Sequence, residues 1–204
     1  MSDVSHDWAV AADILDQGWI FHLGVMDSDG VATSMPMLYV REDRSLLLHG
    51  GVANAALRDA MNRGTVAGNV TLVDGLVVAR SAFQSSLAYR SVNVIGTLSP
   101  VDGDEKEALL RRVTEGLLAG RVDEIRPMTS GEIRGTLLLQ LSITSAVSRI
   151  SVPEVHDTPS DVGGPEWAGV IPIRVEAGEP QCADDVPATT GLPLSVQGWT
   201  ARRG

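Results

Sequence analysis

A chain of 204 residues, 44% of them apolar, has material for one ordinary domain with a buried core and is too hydrophobic to be disordered. Sixteen basic against twenty-six acidic residues leave a formal charge of −10 and a pI near 4.7, so nucleic-acid backbones and anionic membrane surfaces are repelled. No apolar run approaches the roughly 18 residues of a spanning helix, the opening MSDVSHDWAV carries acid where a secretory leader carries Lys or Arg, and a lone cysteine, Cys182, excludes an intrachain disulfide; a cytoplasmic protein is expected.

In chain order, Trp8, Ala11, Ala12 and Leu15 share one helical face and Gly18 follows as a stop, which predicts a first helix. From Trp19 the pattern turns to β: WIFHLGVM, the turn Asp27-Ser28-Asp29-Gly30, VATSMPMLYV, the turn Glu42-Asp43-Arg44, and SLLLHG form a three-stranded meander. Ala53, Ala56, Leu57, Ala60 and Met61 then recur at helical spacing up to Gly64. TVAGNVTLVDGLVVARS contains Asp74-Gly75, a hairpin-turn signal. RSVNVIGTLSPV is a further strand, DEKEALLRRVTEGLLAG an amphipathic helix with acid at its start and Gly120 at its end, and GTLLLQLSITSAVSRISV a long closing strand. At least six strands with short connections predict a mainly β fold, a small antiparallel barrel, because few links are long enough for crossover helices. Seven of the ten prolines fall between Pro153 and Pro193, so the chain divides into a barrel domain, 1–150, and a loop-rich extension, 151–204, that packs on it.

Chemistry concentrates in two places. His49-Gly50-Gly51-Val52-Ala53-Asn54 joins a strand to a helix, where glycines admit an anion close to the backbone and the helix N-terminus favours a phosphate. The same residues also read as a Gly-Gly turn with Asn54 as a helix cap. Arg80, Ser81, Ser85, Ser86, Tyr89, Arg90 and Ser91 crowd between two strands and suit an oxyanion, or an ordinary polar loop. With Lys106 the only lysine, any side-chain charge on a phosphate comes from arginine. His6, His22, His49 and His156 have no metal-ligand spacing, so no metal is expected, and His22, between Phe21 and Leu23, reads as structural. No G-x-S-x-G elbow and no G-x-G-x-x-G fingerprint is present.

Four blocks, LLLHGGVANAAL, VTLVDGLVVARSAFQSSLAYRSVNVIGTL, GRVDEIRPMTSGEIRGTLLLQLSI and EWAGVIPIRVEAGEP, resemble in order those of the flavin-nucleotide-binding, pyridoxamine 5′-phosphate oxidase-like family, from about Trp8 to Pro180. The resemblance implies a six-stranded antiparallel split β-barrel of Greek-key topology, a homodimer, and FMN in clefts at the subunit interface. By position it implies that Pro36, Met37 and Leu38 line the flavin ring through their backbone, and that His49, Gly50, Gly51 and Asn54 form the ribityl and phosphate end. Ser86, Tyr89, Arg90 and Ser91 would reach the flavin from another side, Arg80 or Arg90 would hold phosphate, and Trp167 would pack near the cleft. Two departures stand out: Asn54-Ala55 replaces a Ser-Arg or Ser-Lys pair, and Gln84-Ser85 replaces two histidines. The Arg-x-His element of true pyridoxamine-phosphate oxidases is absent from the end, GWTARRG. The function expected is that of an FMN-dependent oxidoreductase carrying hydride or electrons from a nicotinamide-type donor to a small acceptor, with no catalytic residue assigned. The alternative is a carrier of flavin, deazaflavin or haem without turnover.

Overall fold

The computed structural model describes residues 2–26, 29–187 and 189–203; Asp27 and Ser28 of the expected turn, and the terminal Gly204, lie outside the described residues. Eight strands are present among them: β1 (Ser2–Ser5), β2 (Ile20–Met26), β3 (Ala32–Glu42), β4 (Ser45–Gly51), β5 (Thr65–Val78), β6 (Ser86–Pro100), β7 (Thr136–Ser151) and β8 (Gly169–Pro172). The helices are α1 (Trp8–Gln17), α2 (Ala55–Arg63), α3 (Glu105–Leu117), α4 (Ser130–Gly135) and α5 (Leu194–Arg203). All strand pairs are antiparallel, and the order β7-β4-β3-β2-β5-β6 closes on itself through β6 and β7. The six-stranded ring expected from the sequence is therefore there, with β1 added on β7 and β8 on β5. Strand β5 returns through α2 to lie beside β2, so the local order β5-β2-β3-β4 is a Greek key.

Strict alternation builds the ring. In β2, Phe21, Leu23 and Val25 are buried while His22, Gly24 and Met26 face outward. Phe21 and Leu23 meet Leu46, Leu48, Leu139 and Leu141 in the barrel interior, all fully buried. Each such side chain contributes about 1.5–3 kcal/mol. Helix α1 stoppers the barrel with Ala11, Ile14 and Leu15. It starts where Asp7 accepts the Ala9 amide at 2.9 Å and ends where the Gly18 amide donates to Ile14 at 3.0 Å. The buried Tyr39 hydroxyl ties this helix end to β3 by donating to the Leu15 carbonyl at 2.5 Å. A second, smaller core lies outside the ring, where Leu110 and Val113 of α3 cover Leu47, Leu138 and Val101.

Asp74-Gly75 is not a hairpin turn. Pairing with β6 continues on both sides, Val73 with Tyr89 and Gly75 with Ala88, and Asp74 is the extra residue of a β-bulge. The connection to β6 is instead the segment Ala79–Ser85, where Ser85 Oγ accepts the Ala79 amide at 3.1 Å and donates to the Ser81 carbonyl at 3.0 Å. Helix α3 also stops at Leu117, short of Gly120, whose φ of 84° instead begins a 3-10 turn over Arg121–Glu124. No described helix is long and apolar enough to cross a membrane.

Candidate functional site

Strands β3 and β4 are bonded only from Tyr39 to Glu42 and from Ser45 to Leu48. Beyond that ladder β4 leaves β3: His49, Gly50 and Gly51 pair with Leu138, Leu137 and Thr136 of β7. Pro36, Met37 and Leu38 stay on β2, opposite His22, Phe21 and Ile20. The ring is split at this point, and helix α2 begins at its edge. Asn54 caps that helix, Oδ1 accepting the Leu57 amide at 3.2 Å, and its Nδ2 reaches across to Met35 Sδ at 3.7 Å. Asn54 is thus the helix cap that the sequence offered, and it also bridges α2 to β3.

The split carries the marks of a ligand site. His49 Nδ1 is buried without a hydrogen-bond partner, and burial holds the imidazole below its ordinary pKa, so it is neutral near pH 7. An orphaned buried polar atom costs about 1–3 kcal/mol until something bonds it. At Gly51 an added Cβ would meet nothing within 4 Å, so the backbone faces open space there. Gly50 differs: a Cβ would fall 2.6 Å from Leu57 Cδ1, so this glycine is required by the packing of α2. The first-turn amides of Ala55 and Ala56 have no intrahelical acceptor and, with the helix dipole, favour an anion at that end. Arg58 stands one turn further on, exposed, with Nη1 on the Val52 carbonyl at 2.9 Å. A flavin's phosphate and ribityl chain, rich in acceptors and hydroxyls, match these donors and the unpaired imidazole nitrogen.

The other sequence-predicted residues form a separate group. Strand β6 lies three strands from β3 in either direction round the ring. Arg90 is held there by Asp74 through Nε and Nη2 at 2.9 and 2.8 Å, and by Gln17 at 2.8 Å. Arg80 is paired with Asp157, its backbone amide donating to the same carboxylate at 2.8 Å. Both guanidiniums are thus occupied by carboxylates: the bond to Asp74 keeps Arg90 charged, and the Arg80 backbone amide, with its guanidinium, holds Asp157 below the usual carboxylate range. Ser91 is buried, Tyr89 half-buried and Ser86 exposed at the loop end, while Trp167 is 65% exposed beside Gly169 at the start of β8. Within one chain this group does not meet the split.

Two residues beside the split were given no binding role by the sequence reading. Arg58 sits one helical turn after Asn54, a spacing that brings it back to the α2 N-terminus, which was the signal available. His22, which the sequence reads as structural, is exposed on the outer face of β2, directly opposite Pro36. Burial of Phe21 and Leu23 on alternate positions is what sends its imidazole outward beside the β3 segment. Among the described residues, no group of His, Cys, Asp or Glu converges to hold a metal.

The family model for pyridoxamine 5′-phosphate oxidase matches residues 7–150. A comparison with curated proteins finds no match. Among solved structures, the FAD and heme binding protein from Mycobacterium smegmatis is similar over 96% of both chains, with 34% identity and a TM-score of 0.91. The flavocytochrome Anf3 from Azotobacter vinelandii matches 96% of this chain and 91% of its own, at 29% identity and a TM-score of 0.89. An FAD binding protein from M. smegmatis shares the fold at 16% identity and a TM-score of 0.51, over 74% of this chain and 99% of its own.

Proposed function

From the premise that this chain belongs to the pyridoxamine 5′-phosphate oxidase family of flavin-binding split-barrel proteins, we propose that it binds FMN in the β3–β4 split and works as an oxidoreductase. The observation that carries the reading is the unpaired Nδ1 of His49 at the split, beside the open backbone at Gly51 and the N-terminus of α2. When bound, the flavin supplies hydride and electron transfer between a nicotinamide-type donor and a small acceptor. The chain's own part is to bind and orient. Asn54, the first-turn amides of α2 and Arg58 hold the phosphate, His49 takes a ribityl hydroxyl, and the backbone of Pro36, Met37 and Leu38 positions the ring edge. His22, opposite Pro36, is the side chain placed to hold or deliver a proton beside the ring. One guanidinium and one helix N-terminus match a single phosphate, which favours FMN over a dinucleotide.

A homodimer completes the site. Leu87, Leu76 and Ile171 stand in one row across β6, β5 and β8, at 45, 39 and 50% exposure, and Phe83 at the end of that hairpin is 93% exposed. A contiguous apolar row of this kind marks a protein–protein surface, and a second copy with the same row supplies a self-complementary partner. Pairing through it brings the β6 group, Ser86, Tyr89, Arg90 and Ser91, with Arg80 and Trp167, toward a neighbouring split, and residues 151–204 serve as the extension that carries β8 into the interface.

A second reading takes its support from the similarity to the M. smegmatis FAD and heme binding protein: a flavin and haem carrier in which His49 is a haem ligand. The absorption spectrum of protein as purified separates the two, together with chromatography of the released cofactor. FMN alone, with NAD(P)H oxidation above that of free FMN, supports the oxidoreductase. A Soret band lost in His49→Ala supports the carrier.

A further inference from the structure

Between the C-terminal end of α1, the outer face of β3, the last turn of α3 and helix α5 lies a cavity of about 600 Å³. It is half open to solvent, lined mainly by apolar side chains, and of the size of a small-molecule site. Leu38 and Val40 of β3 line it together with Leu117 and Leu118 at the end of α3, and α5 contributes Val196 and Trp199. The spacing of these elements is set by specific contacts. A Cβ at Gly116 would fall 2.4 Å from Val40 Cγ1, so α3 is seated directly on β3. Helix α5 is tethered at its first turn, where the Ser195 amide donates to Glu124 at 3.0 Å and its buried hydroxyl donates to the same carboxylate. Midway along the helix the Trp199 ring meets Trp19 at 5.5 Å. Held at its first turn and at its middle, α5 flanks the cavity without filling it.

The lining also defines the occupant. Its only charges are Asp16 and Arg41, which neutralise each other through Nε and Nη2 at 2.7 and 2.6 Å, while Nη1 is taken by the Asp43 carbonyl at 2.7 Å. Neither is left to pair with an ionised ligand. The Tyr39 ring is buried in the barrel core against Phe21, with its hydroxyl donating to the Leu15 carbonyl. No imidazole, thiol or thioether is in the lining, so nothing there ligates a metal or a haem iron. We propose that this cavity is a second binding site, for an uncharged, mainly apolar molecule, and that α5 is its cover.

The probe N-phenyl-1-naphthylamine has that chemistry, and its emission rises in apolar surroundings. Titrated into the protein as purified, it should give a saturable one-to-one signal with quenching of tryptophan emission by energy transfer from Trp19 and Trp199. Val196→Trp on α5 and Leu118→Trp just after α3, which place bulk in the cavity from two elements, should each weaken probe binding at least about tenfold, or ~1.4 kcal/mol, with cofactor content unchanged. A wild-type chain without a saturable signal, or two variants that bind the probe as tightly as wild type, overturns the proposal. If a replacement lowers the melting temperature, a wild-type crystal soaked in the probe decides instead: density between Trp19 and Leu117 supports the site, and density elsewhere or none refutes it. The flavin assignment has its own spectrum and is not touched by either outcome.

Discussion

Replacing Arg58 by Ala should lower the affinity for FMN while leaving that for riboflavin almost unchanged. In the structure Arg58 spends one of its five N–H donors on the Val52 carbonyl at 2.9 Å, and the rest of its guanidinium is available at the α2 N-terminus. Arg80 and Arg90 cannot substitute for it, because Asp157 and Asp74 hold them. A charge-assisted hydrogen bond contributes about 1.5–3 kcal/mol, and exposure to solvent places this one near the lower end. The ratio of FMN to riboflavin affinity should therefore fall roughly tenfold at 0.1 M salt, one decade per ~1.4 kcal/mol, and by less as salt is raised. Arg58→Lys should recover part of the ratio. Ala55→Lys, which restores a cation where the family commonly has one, should raise it by a similar factor. Isothermal titration of flavin-stripped protein with both ligands reads the ratio directly. Equal losses for FMN and riboflavin would mean that Arg58 merely supports the fold of α2; an unchanged ratio would mean that the phosphate lies elsewhere.

Tyr39→Phe strips the buried Leu15 carbonyl of its donor and should cost about 1–3 kcal/mol, seen as a melting temperature lower by several degrees, with the barrel's circular dichroism preserved. His49, whose folded pKa lies below its unfolded value of 6.5, favours the native state while neutral; the unfolded chain binds the proton first, so stability should be full above pH 6.5 and fall as the pH drops below it. Urea titrations from pH 8 to 5 should show this slope, reduced in His49→Gln and steepest in the flavin-free protein. Leu76→Asp, in the middle of the exposed Leu87–Leu76–Ile171 row, should convert a dimer to a monomer by light scattering at unchanged secondary structure. A wild-type monomer that binds FMN as tightly would refute the dimer assignment.

Strand periodicity was readable because one face of each strand is buried in the ring: Phe21, Leu23 and Val25 alternate with outward residues and leave little choice of register. The cap Asn54 was readable from its place just before an apolar run at helical spacing, whereas the Asp7 cap went unread. Asp74-Gly75 misled because its turn chemistry is real but overridden: twelve cross-strand pairs between β5 and β6, with Asp74 recruited by Arg90, outweigh a two-residue preference. Strand β8 was hidden because Gly169–Pro172 has no pattern of its own and pairs at a sheet edge with residues far away in sequence. The split itself is a tertiary event. Nothing in SLLLHGG says that the strand keeps β7 but loses β3 at His49, so the unpaired imidazole could not be foreseen. Carboxylate partners on distant elements, Asp157 for Arg80 and Asp74 for Arg90, likewise decide which arginine is available, and spacing carries no trace of them.

The most direct test of a flavin in the β3–β4 split is a crystal structure of protein saturated with FMN. Density between Pro36–Leu38 and the N-terminus of α2, with the phosphate at Asn54 and Arg58 and a ribityl hydroxyl on His49 Nδ1, is the predicted result. FMN bound at another surface, or a split closed by the protein's own side chains at full occupancy of cofactor, would contradict it.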